Sequence, residues 1–181
     1  MEKYAIIYAS VTGNTEKLAH AICNMLPSED CVYFGKPDGK ALEAGRLYIG
    51  FWTDKGGCDA GLADFLATIE KKEIFLFGTA GFGGEEEYFN RIMENVEKKI
   101  NDSNVVIGRY MCQGKMPVSV RERYEKMMQT PSMKTKAEEL LENFDRAVSH
   151  PDDADILNLE KAISLCTSER QKSRRMQMSD K

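Results

Sequence analysis

Histidine is almost missing from this chain of 181 residues. Only His20, inside a helical pattern, and His150, beside Pro151, carry an imidazole, so no ligand cluster of the zinc or di-iron kind is expected. No C-x-x-C pair occurs. The five cysteines, Cys23, Cys31, Cys58, Cys112 and Cys166, are scattered and odd in number, which argues against a closed disulfide framework and for reduced thiols packed as small apolar side chains. No apolar run is long enough to cross a bilayer. Met1, Glu2 and Lys3 lead straight into a short apolar run without a basic leader or small-residue cleavage site, so a cytoplasmic protein is expected.

The composition present is that of a globular domain, 42% hydrophobic and 30% charged, and the length suits one domain with one core. Charge is unevenly spread. Residues 168–181 hold five basic and two acidic side chains, so a net charge of −4 for the whole leaves the preceding body strongly acidic. Such a body discourages nucleic acid and anionic lipid and favours a basic partner protein. We read residues 1–167 as one domain and 168–181 as a flexible basic tail, polar and without apolar periodicity.

Residues 4–9, 47–52, 74–77 and 105–108 are short apolar runs without polar alternation, the pattern of parallel strands covered on both faces. Residues 31–34 read as an edge strand before a loop. Leu18, Ala21, Ile22 and Met25 share one helical face, as do Leu62, Phe65, Leu66 and Ile69, and then Phe89, Ile92, Met93 and Val96. Three further helices are expected at 120–128, 134–148 and 153–165, with Asp152 or Asp153 capping the last and the sheet covering their apolar faces. Alternating strands and helices predict an α/β three-layer sandwich with a five-stranded parallel sheet and ligands at the carboxyl ends of its strands.

The segment Ser10, Val11, Thr12, Gly13, Asn14, Thr15 follows the first strand and opens onto a helix. Orphan N–H groups at a helix N-terminus, a glycine for the turn, and the side chains of Ser10, Thr12, Asn14 and Thr15 make a phosphate cradle. It contains no Lys or Arg, which suits a terminal monophosphate, and the G-x-x-x-x-G-K-[ST] signature of triphosphate sites is absent. Taken alone, the same residues also read as an ordinary helix cap. Two glycine- and aromatic-bearing loops follow the third and fourth strands. Trp52, the only tryptophan, stands before Thr53, Asp54, Gly56 and Gly57, and the second loop runs through Thr79, Ala80, Gly81, Phe82, Gly83 and Gly84.

With its [ST]-x-T-G-[NT]-T loop in this position, the chain resembles the flavodoxin family, and in its plain short core the short-chain, flavodoxin-domain proteins of anaerobic bacteria, some of which accompany reductases such as those acting on bile pigments. The resemblance implies sheet order 2-1-3-4-5 and FMN, its phosphate on residues 10–15 and its ring between the two later loops. It implies that Trp52 covers one ring face and that the Gly56–Gly57 peptide turns a carbonyl toward flavin N5. Tyr88 and Phe89 match a pair that flavodoxins carry, but Glu86 stands where a stacking tyrosine belongs, leaving that face to Phe82 or open to a substrate or partner. Glu85, Glu86 and Glu87 favour the first turn of a helix, and near the flavin would oppose its reduced anion.

The function so implied is electron transfer by a monomer between a reductase and an acceptor enzyme, without a catalytic residue. The alternative is an FMN-dependent reductase acting on NAD(P)H or a small organic substrate, beside Phe82 and the helix at 120–128. Asp54 and Lys115 follow strands three and five as in a receiver module, but Ala9 and Ser10 stand where paired acids would hold Mg²⁺. A low-molecular-weight phosphatase would need a cysteine and an arginine in the first loop, and neither is there.

Overall fold

The computed structural model describes residues 3–179, with side chains described as far as Thr167. Its sheet comprises β1 (Tyr4–Tyr8), β2 (Cys31–Gly35), β3 (Arg46–Trp52), β4 (Glu73–Ala80) and β5 (Val105–Gln113), all parallel, in the order β2-β1-β3-β4-β5. The expected order is therefore the observed one. It reverses between β1 and β3, whose carboxyl ends are in register at Tyr8 and Gly50.

Helices α1 (Asn14–Met25), α2 (Ala60–Thr68) and α3 (Glu86–Glu97) follow β1, β3 and β4. On one face, Ala5, Ile7, Leu47, Ile49, Phe51, Ile74 and Leu76 meet Leu62, Leu66, Ile92, Met93 and Val96. On the other, Ile6, Tyr48, Phe75 and Phe77 meet Leu18 and Ile22. Each central strand sends alternate side chains into two cores, which is why its sequence shows no polar alternation. Between β2 and β3 the chain forms only a 3-10 turn at Gly39–Glu43, and Ala41 and Ala44 fill the layer there.

Two strands outrun their expected ends. β4 continues through Gly78 and Thr79 to Ala80; a Cβ on Gly78 would stand 2.6 Å from the Phe51 ring, so this glycine accommodates a neighbour inside the sheet rather than ending it. β5 continues to Gln113 as an edge strand with partly exposed residues, so its mixed sequence hides the extension.

The expectation that the sheet covers all three late helices needs correction. Only α6 (Asp153–Ser179) lies on it, contributing Leu159 and Ile163 to the α1-side core. Helices α4 (Val118–Met127) and α5 (Lys134–Ala147) pack on each other as a hairpin, with Tyr124, Ala137, Phe144 and Ala147 buried and the Arg121 guanidinium 5.4 Å above the Phe144 ring. The α6 backbone runs beyond the expected 165 to Ser179, through most of the segment expected as a basic tail; the side chains from 168 on, and residues 180–181 altogether, lie outside the described residues.

Candidate functional site: a phosphate turn and groove at the carboxyl end of the sheet

At the end of β1, Ala9 N–H donates to the Gly50 carbonyl, holding the chain against β3 until it enters the turn at Ser10. Gly13 then takes φ +83°, a left-handed conformation that costs a side-chain-bearing residue about 1–2 kcal/mol. Ser10 Oγ accepts from Gly13 N–H at 3.1 Å, and Lys17 N–H is the first to reach back, to the Gly13 carbonyl. Among the described residues no side chain caps α1, which leaves the first-turn N–H groups of Asn14, Thr15 and Glu16 without an acceptor within the helix.

Two of the expected donors are used within the protein. Asn14 Nδ2 donates to Thr12 Oγ1 at 2.8 Å and to the Lys115 carbonyl at 2.9 Å. Thr15 Oγ1 is fully buried and 3.0 Å from Thr79 Oγ1. These side chains fix the turn, while its first-turn amides have no side-chain cap. Gly114 permits this arrangement: a Cβ there would lie 2.5 Å from Asn14 Nδ2.

A groove of about 630 Å³ opens beside the turn, within the range of small-molecule sites. Tyr8, Ser10, Val11, Trp52, Asp59 and Leu62 are among its walls, so the structure brings the phosphate turn and Trp52 into one space at the switch point of the sheet. Asp59 was not singled out from the sequence. Its Oδ1 caps α2 by accepting from Leu62 N–H at 3.2 Å, whereas its Oδ2 is buried with no protein partner among the described residues. A buried acceptor of this kind suits a ligand hydroxyl or imide N–H.

The two glycine loops start together and are then anchored apart. The Thr79 carbonyl accepts from both the N–H and the Oγ1 of Thr53 at 2.9 Å. Beyond it, Asp54 and Gly57 exchange both backbone hydrogen bonds around Lys55 (φ +47°) and Gly56 (φ +81°), a tight turn of the I′ kind. Asn95 of α3 donates to the Gly56 carbonyl at 3.0 Å. The loop after β4 is held by buried amides instead: Asn143 of α5 donates to the Gly81 carbonyl, and Gln113 donates to the Gly83 carbonyl and to Asn143 Oδ1. Neither Thr53–Gly57 nor Thr79–Gly84 lines the groove.

Phe82 is 42% exposed, edge-on to Tyr88 at 5.8 Å, with Lys136 Nζ 5.9 Å from its ring centroid. Glu86 and Glu87 do occupy the first turn of α3, and Glu86 faces a cleft toward Arg109 and Met111 of β5. Burial pushes the Cys58 and Cys112 thiols above their ordinary range, which disfavours the reactive thiolate.

A flavodoxin domain matches residues 5–164. A flavodoxin-like domain-containing protein BilS from Clostridium symbiosum (strain WAL-14163) is 37% identical over 171 residues, covering 85% of this chain and 90% of its own. The chain belongs to the flavodoxin family. A second flavodoxin-like BilS, from Clostridioides difficile (strain CD3), is 30% identical over 161 residues, with the same coverage of both chains. Among solved structures, a short-chain flavodoxin associated with a non-canonical PDU bacterial microcompartment superposes with TM-score 0.50 at 16% identity, over 82% of this chain and 100% of its own, a likeness of fold.

In this member of the flavodoxin family the turn expected to hold a phosphate also has neighbours that are remote in sequence. A pocket of about 260 Å³ on its other side is lined by Thr12, Gly13, Asn14, Lys17, Lys115, Val148, Ser149, His150 and Pro151. The uncharged cradle expected from residues 10–15 therefore has basic side chains beside it. His150 Nδ1 lies 2.6 Å from Asp155 Oδ2, which also accepts from Asp152 N–H, while Asp152 Oδ1 accepts from Asp155 N–H. Ligand-type atoms of these three residues lie within 4.8 Å of one another, a grouping that the sparse histidine did not suggest. Their hydrogen bonds make it a reciprocal cap on α6.

Proposed function

We propose that this protein is an FMN-holding electron carrier that passes electrons between a reductase and an acceptor enzyme. FMN is its cofactor, and the observation that carries this reading is the uncapped first turn of α1, entered through Gly13, opening on a groove that Trp52 and the buried Asp59 acceptor share. The residues present fit FMN. The turn's amides suit a monophosphate, Trp52 offers an indole face to an aromatic ring, and Asp59 Oδ2 accepts from a polar edge or hydroxyl. FMN when bound supplies the electron chemistry. The chain supplies the fixed turn, the groove, and the surface on which partners dock.

That surface favours a carrier. Val11, Phe82, Val118, Met133 and Val148, all exposed, lie on the turn, the β4 loop and the ends of the α4–α5 hairpin, all beyond the carboxyl ends of the strands. Exposed apolar side chains around a cofactor suit transient docking of another protein. In our reading the protein stays in the cytoplasm and works as a monomer.

The test is to purify the protein, identify the released flavin and titrate the protein with dithionite. About one FMN per chain and reduction without NAD(P)H turnover by the protein alone are expected. A colourless protein that takes up no added FMN would refute the proposal, and steady NAD(P)H oxidation by the isolated chain would replace the carrier with a reductase.

A further inference from the structure

The basic pocket beside the phosphate turn is not used by a cradle made of amides alone. Its walls join four parts of the chain: the turn itself through Thr12, Gly13 and Asn14, the first part of α1 through Lys17, the segment after β5 through Lys115, and the α5–α6 connection through Ser149 and His150. They are tied together by hydrogen bonds. Asn14 Nδ2 donates to the Lys115 carbonyl, Lys115 N–H donates to the His150 carbonyl at 2.8 Å, and Lys17 Nζ donates to the Pro151 carbonyl at 2.6 Å. A chain of bonds thus fixes the positions of Lys115 and His150 relative to the amides expected to take the phosphate.

The chemistry of the walls has one sign. Lys17, Lys115 and His150 line the pocket, and among the described residues no carboxylate does. The charged and titratable groups around the imidazole are Asp155 of α6, Asp152 just before it, Lys17 of α1 and Lys115 after β5, with Tyr110 of β5 donating to the Asp155 carbonyl. Asp155 engages Nδ1, which leaves Nε2 as the ring nitrogen available to a ligand.

We propose that this pocket is the charged half of the phosphate site, where Lys115 and His150, with Lys17 behind them, meet the phosphate that the turn holds by its amides. The inference rests on the reading that FMN places its phosphate on residues 10–15. Its chemical consequence is a preference for a phosphomonoester dianion over an uncharged hydroxyl.

The test compares FMN and riboflavin binding to flavin-free protein, by quenching of flavin fluorescence, for the native chain, Lys115→Gln and His150→Gln. Each substitution is expected to weaken FMN binding about tenfold and to leave riboflavin unchanged. Inorganic phosphate should compete with FMN and not with riboflavin. Equal losses for both flavins would make the residues merely structural and overturn the proposal, as would phosphate binding alongside FMN, which denotes a separate anion site. A native protein that prefers FMN, with variants that keep the preference, overturns the charged pocket alone. A native protein that binds both flavins equally overturns the phosphate reading beneath it.

Discussion

Asp59 is used twice, and its two oxygens are separable by experiment. Oδ1 caps α2 and Oδ2 is buried beside the groove with no protein partner among the described residues. Asp59→Ala should lower stability by about 1 kcal/mol through the lost cap, read from urea unfolding, and weaken FMN and riboflavin alike, because Asp59 lines the groove proposed for both. Unchanged flavin binding with lowered stability would leave Asp59 as a cap only. Trp52 was legible as a candidate because it is the only tryptophan and ends a strand. Asp59 was not, since an aspartate before a helix reads equally well as a cap.

The entry to α6 is built from a reciprocal pair, Asp152 and Asp155, and the expectation that Asp152 or Asp153 caps this helix resolves to Asp152. The Asp155 N–H, and then the His150 charge, hold the Asp152 carboxyl below its ordinary range. A lowered folded pKa means that the carboxylate stabilises the fold above the ordinary carboxylate range and that this contribution is lost as pH falls through the lowered value. Asp152→Asn should therefore reduce the thermal midpoint at pH 7, with the difference from the native chain shrinking below about pH 4. A difference independent of pH would remove the charge from the account. The hairpin α4–α5 acts at the same scale through Asn143, which holds the Gly81 carbonyl and Gln113. Replacing Asn143 by Leu leaves buried partners unmatched, a cost of about 1–3 kcal/mol in unfolding free energy.

For the molecule as a whole, the last described helix completes the α1-side layer. Leu159 is fully buried there with Leu18, Ile22 and Phe75, and Gly108 of β5 allows the close approach, since a Cβ would stand 2.2 Å from Cys166 Sγ. Leu159→Ala should cost about 2–5 kcal/mol in a single cooperative transition. A separate early transition for α6 would show that it is an appendage. The sequence by itself determined the five strands, the layers, the family and the turn from Ser10 to Thr15, because these are written in local periodicity and in one contiguous motif. Only the tertiary structure decided that Asn14 and Thr15 brace the turn, that Asn95, Gln113 and Asn143 hold the glycine loops, and that Lys115 and His150 stand beside that turn. The reason is physical: a hydrogen-bond partner about a hundred residues away leaves no spacing signal, and it exists only once β1, β5 and the α5–α6 connection are brought to the same end of the sheet.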